Sequence, residues 1–236
     1  MQQMPARERM INMKKLMILG AGVYQVPLIK RAKEKGLYTI VVSIPGDYPG
    51  FKLADKIYYE NTTDCEKILE IAQKENIDGI VTAGTDVAVV TVGRVCDAMK
   101  LCGISYEAAQ ISGDKLLMKD QYEKYGVRTA KYRKIFFADK DIEEKISELT
   151  QPLIFKAVDS SGSRGIIRID DLSKCKETIE EVKKYTKKDY FIAEEFLEGE
   201  EFGAQAYILG GKVQFILPHG DYVFHGDTAV SYTHLR

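Results

Sequence analysis

PLIFKAVDSSGSRGI, residues 152–166, and FIAEEFLEGEE, residues 191–201, decide how this chain is read. The first stretch is a short apolar strand, Pro152 to Phe155, that delivers Lys156 and then breaks into a loop from Asp159 to Gly165. Ser160, Ser161, Gly162, Ser163, Arg164 and Gly165 make that loop small, polar and conformationally free. A lysine point charge beside exposed backbone N–H groups forms a phosphate cradle, because glycine lets the main chain approach an anion that a side chain would block. IIRI then returns as a second strand, so lysine and loop belong to a hairpin. The P-loop pattern is excluded, since no Gly-Lys-Ser/Thr follows and no helix starts there. A polar hairpin turn with a solvated lysine has the same local features, so the reading depends on the second stretch.

In FIAEEFLEGEE an apolar strand, Tyr190 to Ala193, runs into carboxylates that alternate with Phe196 and Leu197. An adenine needs an apolar slot with backbone and carboxylate partners for its amino edge, and a ribose needs an acceptor for its hydroxyls a few residues on. Glu194 to Leu197 can supply the first and Glu201 the second. Read without a ligand, the same residues are a strand end followed by an acidic turn at Glu198 and Gly199.

Taken together, a strand lysine, a small-residue loop, a helix-length interval and an E-E-F-L-x-G-x-E hinge resemble the ATP-grasp superfamily. Its members hold ATP between two α+β lobes and activate a carboxylate as an acyl phosphate. The resemblance implies that Lys156 contacts the ATP phosphates and that Ser160 through Gly165 close over them. It implies adenine contacts from Glu194 and the main chain of Phe196 and Leu197, and a ribose contact from Glu201. SGDKLLMKDQYEKYGVRTAKY, residues 112–132, is similar to the entry to this domain, with Lys115 a further ATP contact. A lysine just inside a helix capped by Ser112 or Asp114 is the alternative there.

KKLMILGAGVYQVPLIKRAKEKGLYTIVVS reads as a buried strand, a glycine turn, an amphipathic helix with Leu28, Ile29 and Ala32 on one side, and a second strand. A dinucleotide fingerprint is broken: Gln25 stands where a third glycine belongs, and the second strand ends in Ser43 instead of an acidic residue. ATP-grasp enzymes carry a Rossmann-like domain of this kind ahead of the ATP lobes, where it helps bind the substrate to be activated. The resemblance makes Gly20, Gly22 and Gln25 candidate substrate contacts, although such turns also serve strand–helix packing. ADKIYYE reads as a short strand, TDCEKILEIAQKEN as a helix capped at Thr63 or Asp64, DGIVTAG as a buried strand and Asp86 to Leu101 as a long helix. Thr85 and Asp86 follow a strand's C-terminal end, where open α/β sheets bind ligands; helix capping accounts for them equally. IPGDYPG reads as a rigid loop over the same edge.

The expected fold is α/β: a Rossmann-like parallel-sheet domain at 13–111, then an α+β ATP-grasp domain at 112–236, incomplete at its C-terminus, with residues 1–12 a misassigned upstream start or a disordered extension before Met13. GAQAYILGG and KVQFILP read as a hairpin over Gly210 and Gly211. HGDYVFHGDTAV resembles the middle of an ATP-grasp domain, and SYTHLR does not continue the pattern and resembles read-through at a contig end. In this superfamily Mg²⁺ is held by late acidic residues and an asparagine, in stretches absent here, so the ligands are expected beyond the chain, no metal ligand is expected within it, and the fragment is expected to be inactive. Asp227 is the late acidic residue nearest the expected region, and a surface turn accounts for it.

A formal charge of −1 over 236 residues, 45% of them hydrophobic, leaves no electrostatic footprint for nucleic acid or membrane and enough chain for a sizeable core. Cys65, Cys96, Cys102 and Cys175 lack C-x-x-C spacing and read as reduced structural thiols, which suits a cytoplasm. His219, His225 and His234 lack zinc spacing. The expected activity is ATP-dependent ligation of a small-molecule carboxylate and an amine, of amino-acid type, through an acyl phosphate; a homo-oligomer is compatible with it. A carbamoyl-phosphate synthase-like half, a purine-biosynthesis enzyme and a non-catalytic nucleotide-binding module are the alternatives. An NAD-dependent oxidoreductase is disfavoured by the broken fingerprint.

Overall fold

The computed structural model describes residues 13–224 and 230–235. The expected extension 1–12, His225 and Asp227 lie outside the described residues. The chain divides into two compact units, 1–121 and 122–236.

In the first unit, β1 (Lys15–Leu19), β2 (Tyr38–Ser43), β3 (Lys56–Tyr59) and β4 (Gly79–Thr82) form a parallel sheet in the order β3-β2-β1-β4. Their near-continuous apolar runs fit a sheet covered on both faces. Met17, Leu19, Ile40 and Val42 pack on one side with Ile68, Ala72, Val92 and Val95. These come from α2 (Cys65–Glu75) and α3 (Val89–Met99). Ile18 and Val41 pack on the other side against Ile29 and Ala32 of α1 (Val26–Glu34) and against Phe51. Helix α4 (Tyr106–Gly113) lies against α3, where a Cβ on Gly93 would fall 2.8 Å from Ala109.

Two capping alternatives resolve. The Asp64 side chain accepts from the Lys67 N–H at the start of α2, and the Asp114 side chain accepts from Leu116 and Leu117 at 2.9 and 3.2 Å, opening α5 (Lys115–Lys124). Ser112 instead donates to the Ala109 carbonyl. The long helix expected from Asp86 begins at Val89 with no side-chain cap, because its N-cap is Ala88, and the Asp86 carbonyl accepts from the Val89 N–H in the turn before it.

In the second unit, β5 (Tyr132–Phe136), β6 (Leu153–Lys156), β7 (Ile166–Ile169) and β8 (Tyr190–Glu195) form an antiparallel sheet in the order β5-β8-β6-β7. One face buries Ile135, Leu153, Phe155, Phe191 and Ala193 against Ile146 of α6 (Ile142–Ser147) and Cys175, Ile179 and Val182 of α7 (Cys175–Lys183). Each fully buried side chain of this size contributes roughly 1.5–3 kcal/mol. A one-residue slip of β6 would carry Phe155 out of the core, so the core fixes the register, and with it the residues on the opposite face. A second sheet, in the order β11-β10-β9, holds β9 (Phe202–Leu209), β10 (Lys212–Phe224) and β11 (Val230–Leu235), with β9 and β10 turning over Gly210 and Gly211 as expected.

Among the described residues no helix is long and apolar enough to cross a membrane. The four cysteines are free thiols, and burial pushes those of Cys96 and Cys175 up.

Candidate functional site

The sheet face opposite α6 and α7 is set by alternation. Pairing of Lys134 with Ile192, of Ile192 with Lys156 and of Lys156 with Ile166 makes one row across the four strands. The next row toward the C-terminal end of β8 is Tyr132, Glu194, Ile154 and Arg168. Lys156 and Glu194 are therefore diagonal neighbours on adjacent strands, within reach of long side chains. The Lys156 Nζ lies 2.7 Å from Glu194 Oε1, and Glu194 is only 4% exposed. A buried carboxylate is stable when paired and hydrogen-bonded, so this pair holds the lysine ammonium in a fixed place on the face.

At the end of β6 the chain enters the expected loop. The Ala157 N–H donates to the Gly165 carbonyl at 2.8 Å, closing its neck, and the Lys187 N–H donates to the Asp159 side chain at 3.1 Å. Within the loop Arg164 Nε donates to the Ser161 carbonyl, and Gly162, Ser163 and Gly165 have φ of 65°, 57° and 67°. Left-handed residues in a tight loop let successive N–H groups converge on an anion. Gly165 is also required by packing: a Cβ there would fall 2.6 Å from Tyr185 Cβ and 2.8 Å from Ala157 Cβ. At Gly162 nothing lies within 4 Å.

At the other end β8 extends two residues past Ala193, to Glu195, because the Glu195 N–H finds the Lys131 carbonyl on the β5 side. The paired glutamates divide their work. The Thr150 N–H holds the Glu195 carboxyl below the usual carboxylate range and anchors the hinge, while Glu194 faces Lys156. The Phe196 N–H donates to the Pro152 carbonyl at 2.9 Å, and Leu197 beside it is 68% exposed. Glu201 is exposed just before β9.

Sequence reading did not single out two cations on this face. Lys134 Nζ stands 4.1 Å from the Tyr190 ring centroid and 4.5 Å from that of Phe136. Arg168 lies 4.4 Å over the Phe196 ring and pairs with Asp170 at 2.7 Å. Alternation in IIRI puts Ile166 and Arg168 on one face, but which face depends on the pairing with β6.

In the first unit the loops after β1 and β4 lie side by side, where the strand order reverses direction. Gln25 is buried, and its side-chain amide donates to the Ala83 carbonyl across the two loops. Its Oε1 lies 3.1 and 3.2 Å from where Cβ atoms on Gly20 and Gly22 would stand. The IPGDYPG turn packs on this edge: the Gly50 N–H donates to the Ala21 carbonyl at 2.8 Å, and a Cβ on Gly50 would lie 2.7 Å from that oxygen. Gly20, Gly22, Gln25, Thr85 and Asp86 thus belong to one loop cluster, with Asp86 exposed. Lys115 stands at the first position of α5. Among the described residues no group of three His, Cys, Asp or Glu side chains converges to hold a cation.

A family model described as "Phosphoribosylglycinamide synthetase, ATP-grasp (A) domain" matches residues 113–232. A phosphoribosylamine–glycine ligase of Clostridium acetobutylicum is 29% identical over 199 residues, covering 79% of this chain and 46% of that protein. An alanine–anticapsin ligase of Bacillus subtilis is 25% identical over 209 residues, covering 78% and 44%. The crystal structure of phosphoribosylglycinamide synthetase from Anaerococcus prevotii superposes with a TM-score of 0.72 at 36% identity, over 93% of this chain and 55% of that one. The chain spans about half the length of the relatives it matches. Because the family model spans the lysine strand, the loop and the hinge described above, the chain belongs to the ATP-grasp family.

Proposed function

We propose that this chain supplies the ATP-binding part of an ATP-dependent carboxylate–amine ligase, with an amino acid as the carboxylate. The observation that carries this reading is the Lys156–Glu194 pair beside the left-handed loop, on the face that ends in the hinge. In the proposed division, residues 13–111 form a Rossmann-like substrate domain and residues 112–236 the ATP-grasp domain. Lys156, Lys115 and the N–H groups of Ser160 to Gly165 neutralise and hold the phosphates. Glu194, with the main chain of Phe196 and Leu197, takes the adenine, and Glu201 the ribose. Gly20, Gly22, Gln25, Thr85 and Asp86 line the substrate end.

In the reaction a carboxylate oxygen attacks the γ-phosphorus, the bond to the β-phosphate oxygen breaks and ADP leaves. The amine nitrogen then attacks the acyl carbon, the acyl–phosphate bond breaks, phosphate leaves and the nitrogen gives up a proton. Positioning and charge neutralisation are what phosphoryl transfer asks of a protein, and they are what the lysine and loop offer. Two relatives named as glycine and alanine ligases support an amino acid as one reactant. The family match favours a second reading in which the amine is a phosphoribosylamine. The β1–α1 turn, which presents the exposed Val23 and Tyr24 and no cation, favours a smaller uncharged partner.

The test is ATP titration of this chain and of its Lys156→Ala variant, alongside trapping with hydroxylamine, in the presence of ATP and an amino-acid panel, on the complete ligase to which the chain is proposed to contribute. We expect an amino-acid hydroxamate formed with ADP, and ATP affinity at least tenfold weaker in the variant. Unchanged affinity in a folded Lys156→Ala removes the phosphate role. ADP release without any hydroxamate removes the acyl phosphate.

A further inference from the structure

Arg168 is not part of any motif that marks the nucleotide site, yet it shares the site's face. It stands on β7, opposite Ile154 of β6, in the row that also holds Glu194. Its guanidinium reaches past β6 to lie 4.4 Å over the ring of Phe196, and Asp170 holds it at 2.7 Å from the other side. The Phe196 backbone is itself pinned to Pro152, so the ring that carries the guanidinium is anchored at the hinge. A guanidinium is planar, delocalised and weakly hydrated, and it stacks on aromatic faces, including those of nucleobases. Arg168 is about half exposed, with Phe196 under its guanidinium and its Nε and Nη2 engaged by Asp170, so part of the planar group still faces solvent.

We propose that Arg168 is a purine-end residue of this site, its guanidinium forming the β7 wall against which the base stacks. This rests on the nucleotide reading above. The position follows from the rows: the phosphates belong to the loop end beyond Lys156, and Arg168 lies one row toward the hinge. Its role is therefore to orient the base, and its charge is already matched by Asp170. That separates it from Lys156, whose part is at the phosphates.

The two ends can be told apart with two probes, ATP and inorganic tripolyphosphate, titrated calorimetrically into the wild type, Arg168→Ala and Arg168→Lys, with thermal melting as the folding control. We expect Arg168→Ala to weaken ATP about five- to twentyfold and to leave tripolyphosphate within a factor of two. Arg168→Lys keeps the charge and loses the plane, so it should recover less than half of the lost affinity. An equal loss for both probes would make Arg168 a phosphate contact and overturn the proposal, as would full rescue by lysine or no change in either variant. A wild type that binds tripolyphosphate but gains nothing from the nucleoside also overturns it, while leaving a phosphate cradle in place. A wild type that binds neither probe brings down the nucleotide reading itself.

Discussion

Glu201 shows what a single residue can be asked. It sits exposed just past the Glu198–Gly199 turn and is read as the ribose acceptor. If so, Glu201→Gln should weaken ATP several-fold and change a 2′,3′-dideoxy analogue little, because the analogue has no hydroxyl to lose; equal losses in a titration would remove the ribose role. At this scale the sequence was informative where chemistry is local. Lys156, the small-residue loop and the glutamates stand out as candidates only in combination, since each piece alone also fits an ordinary turn or strand end. The Lys156–Glu194 contact could not, because it joins strands 38 residues apart through a register that only the core decides. Gln25 looked like a missing glycine and turned out to be a buried donor to Ala83, a partner 58 residues away.

At the scale of elements, the β6–β7 hairpin depends on two glycines in different ways. Gly165 meets Tyr185 and Ala157, whereas Gly162 meets nothing, and both have left-handed backbones. An alanine at a left-handed position costs about 1–2 kcal/mol. Gly162→Ala should lose about that much in urea denaturation, and Gly165→Ala clearly more, since the neck of the loop must also open. A second element-level prediction concerns β3 and α2. Glu75 of α2 is buried and accepts from Lys56 Nζ at 2.6 Å and from the Tyr58 hydroxyl. Burial alone would push this carboxyl up, but the hydrogen bonds from Lys56 and Tyr58 outweigh it and hold it below its ordinary value. A carboxyl lowered by folding binds fewer protons in the native state, so its stabilisation is complete above the unfolded pKa, near 4.3, and fades as pH falls through it. Glu75→Gln should therefore flatten the acid limb of the urea midpoint below about pH 5, and an unaltered limb would show that the pair is not linked to folding. These elements were legible because apolar runs, glycines and caps are local signals. The start of α3 was not, because a turn at Asp86 replaces three residues of expected helix.

Across the whole molecule, the second sheet leaves apolar side chains on both faces. Tyr207, Ile208, Val213, Phe215 and Ile216 are each at least half exposed. Contiguous apolar surface of this kind drives association. We expect sedimentation velocity to show concentration-dependent self-association that is reduced by Phe215→Glu and Ile216→Lys, placed on opposite faces; identical profiles would exonerate the sheet.

The registered pairs between β6 and β8 also act as a ruler. From the Lys156–Ile192 row to the hinge at Phe196 is four residues, which at the rise of a strand is about 13 Å. A ligand that touches both ends has to be about that long, so a free base or a free phosphate can satisfy only one of them. Inserting one residue in β8 would turn its graduations to the wrong side of the sheet, and inserting two would keep the side but move the marks about 7 Å further apart. On the nucleotide reading proposed above, the strand rows constrain the length of the ligand as well as its chemistry.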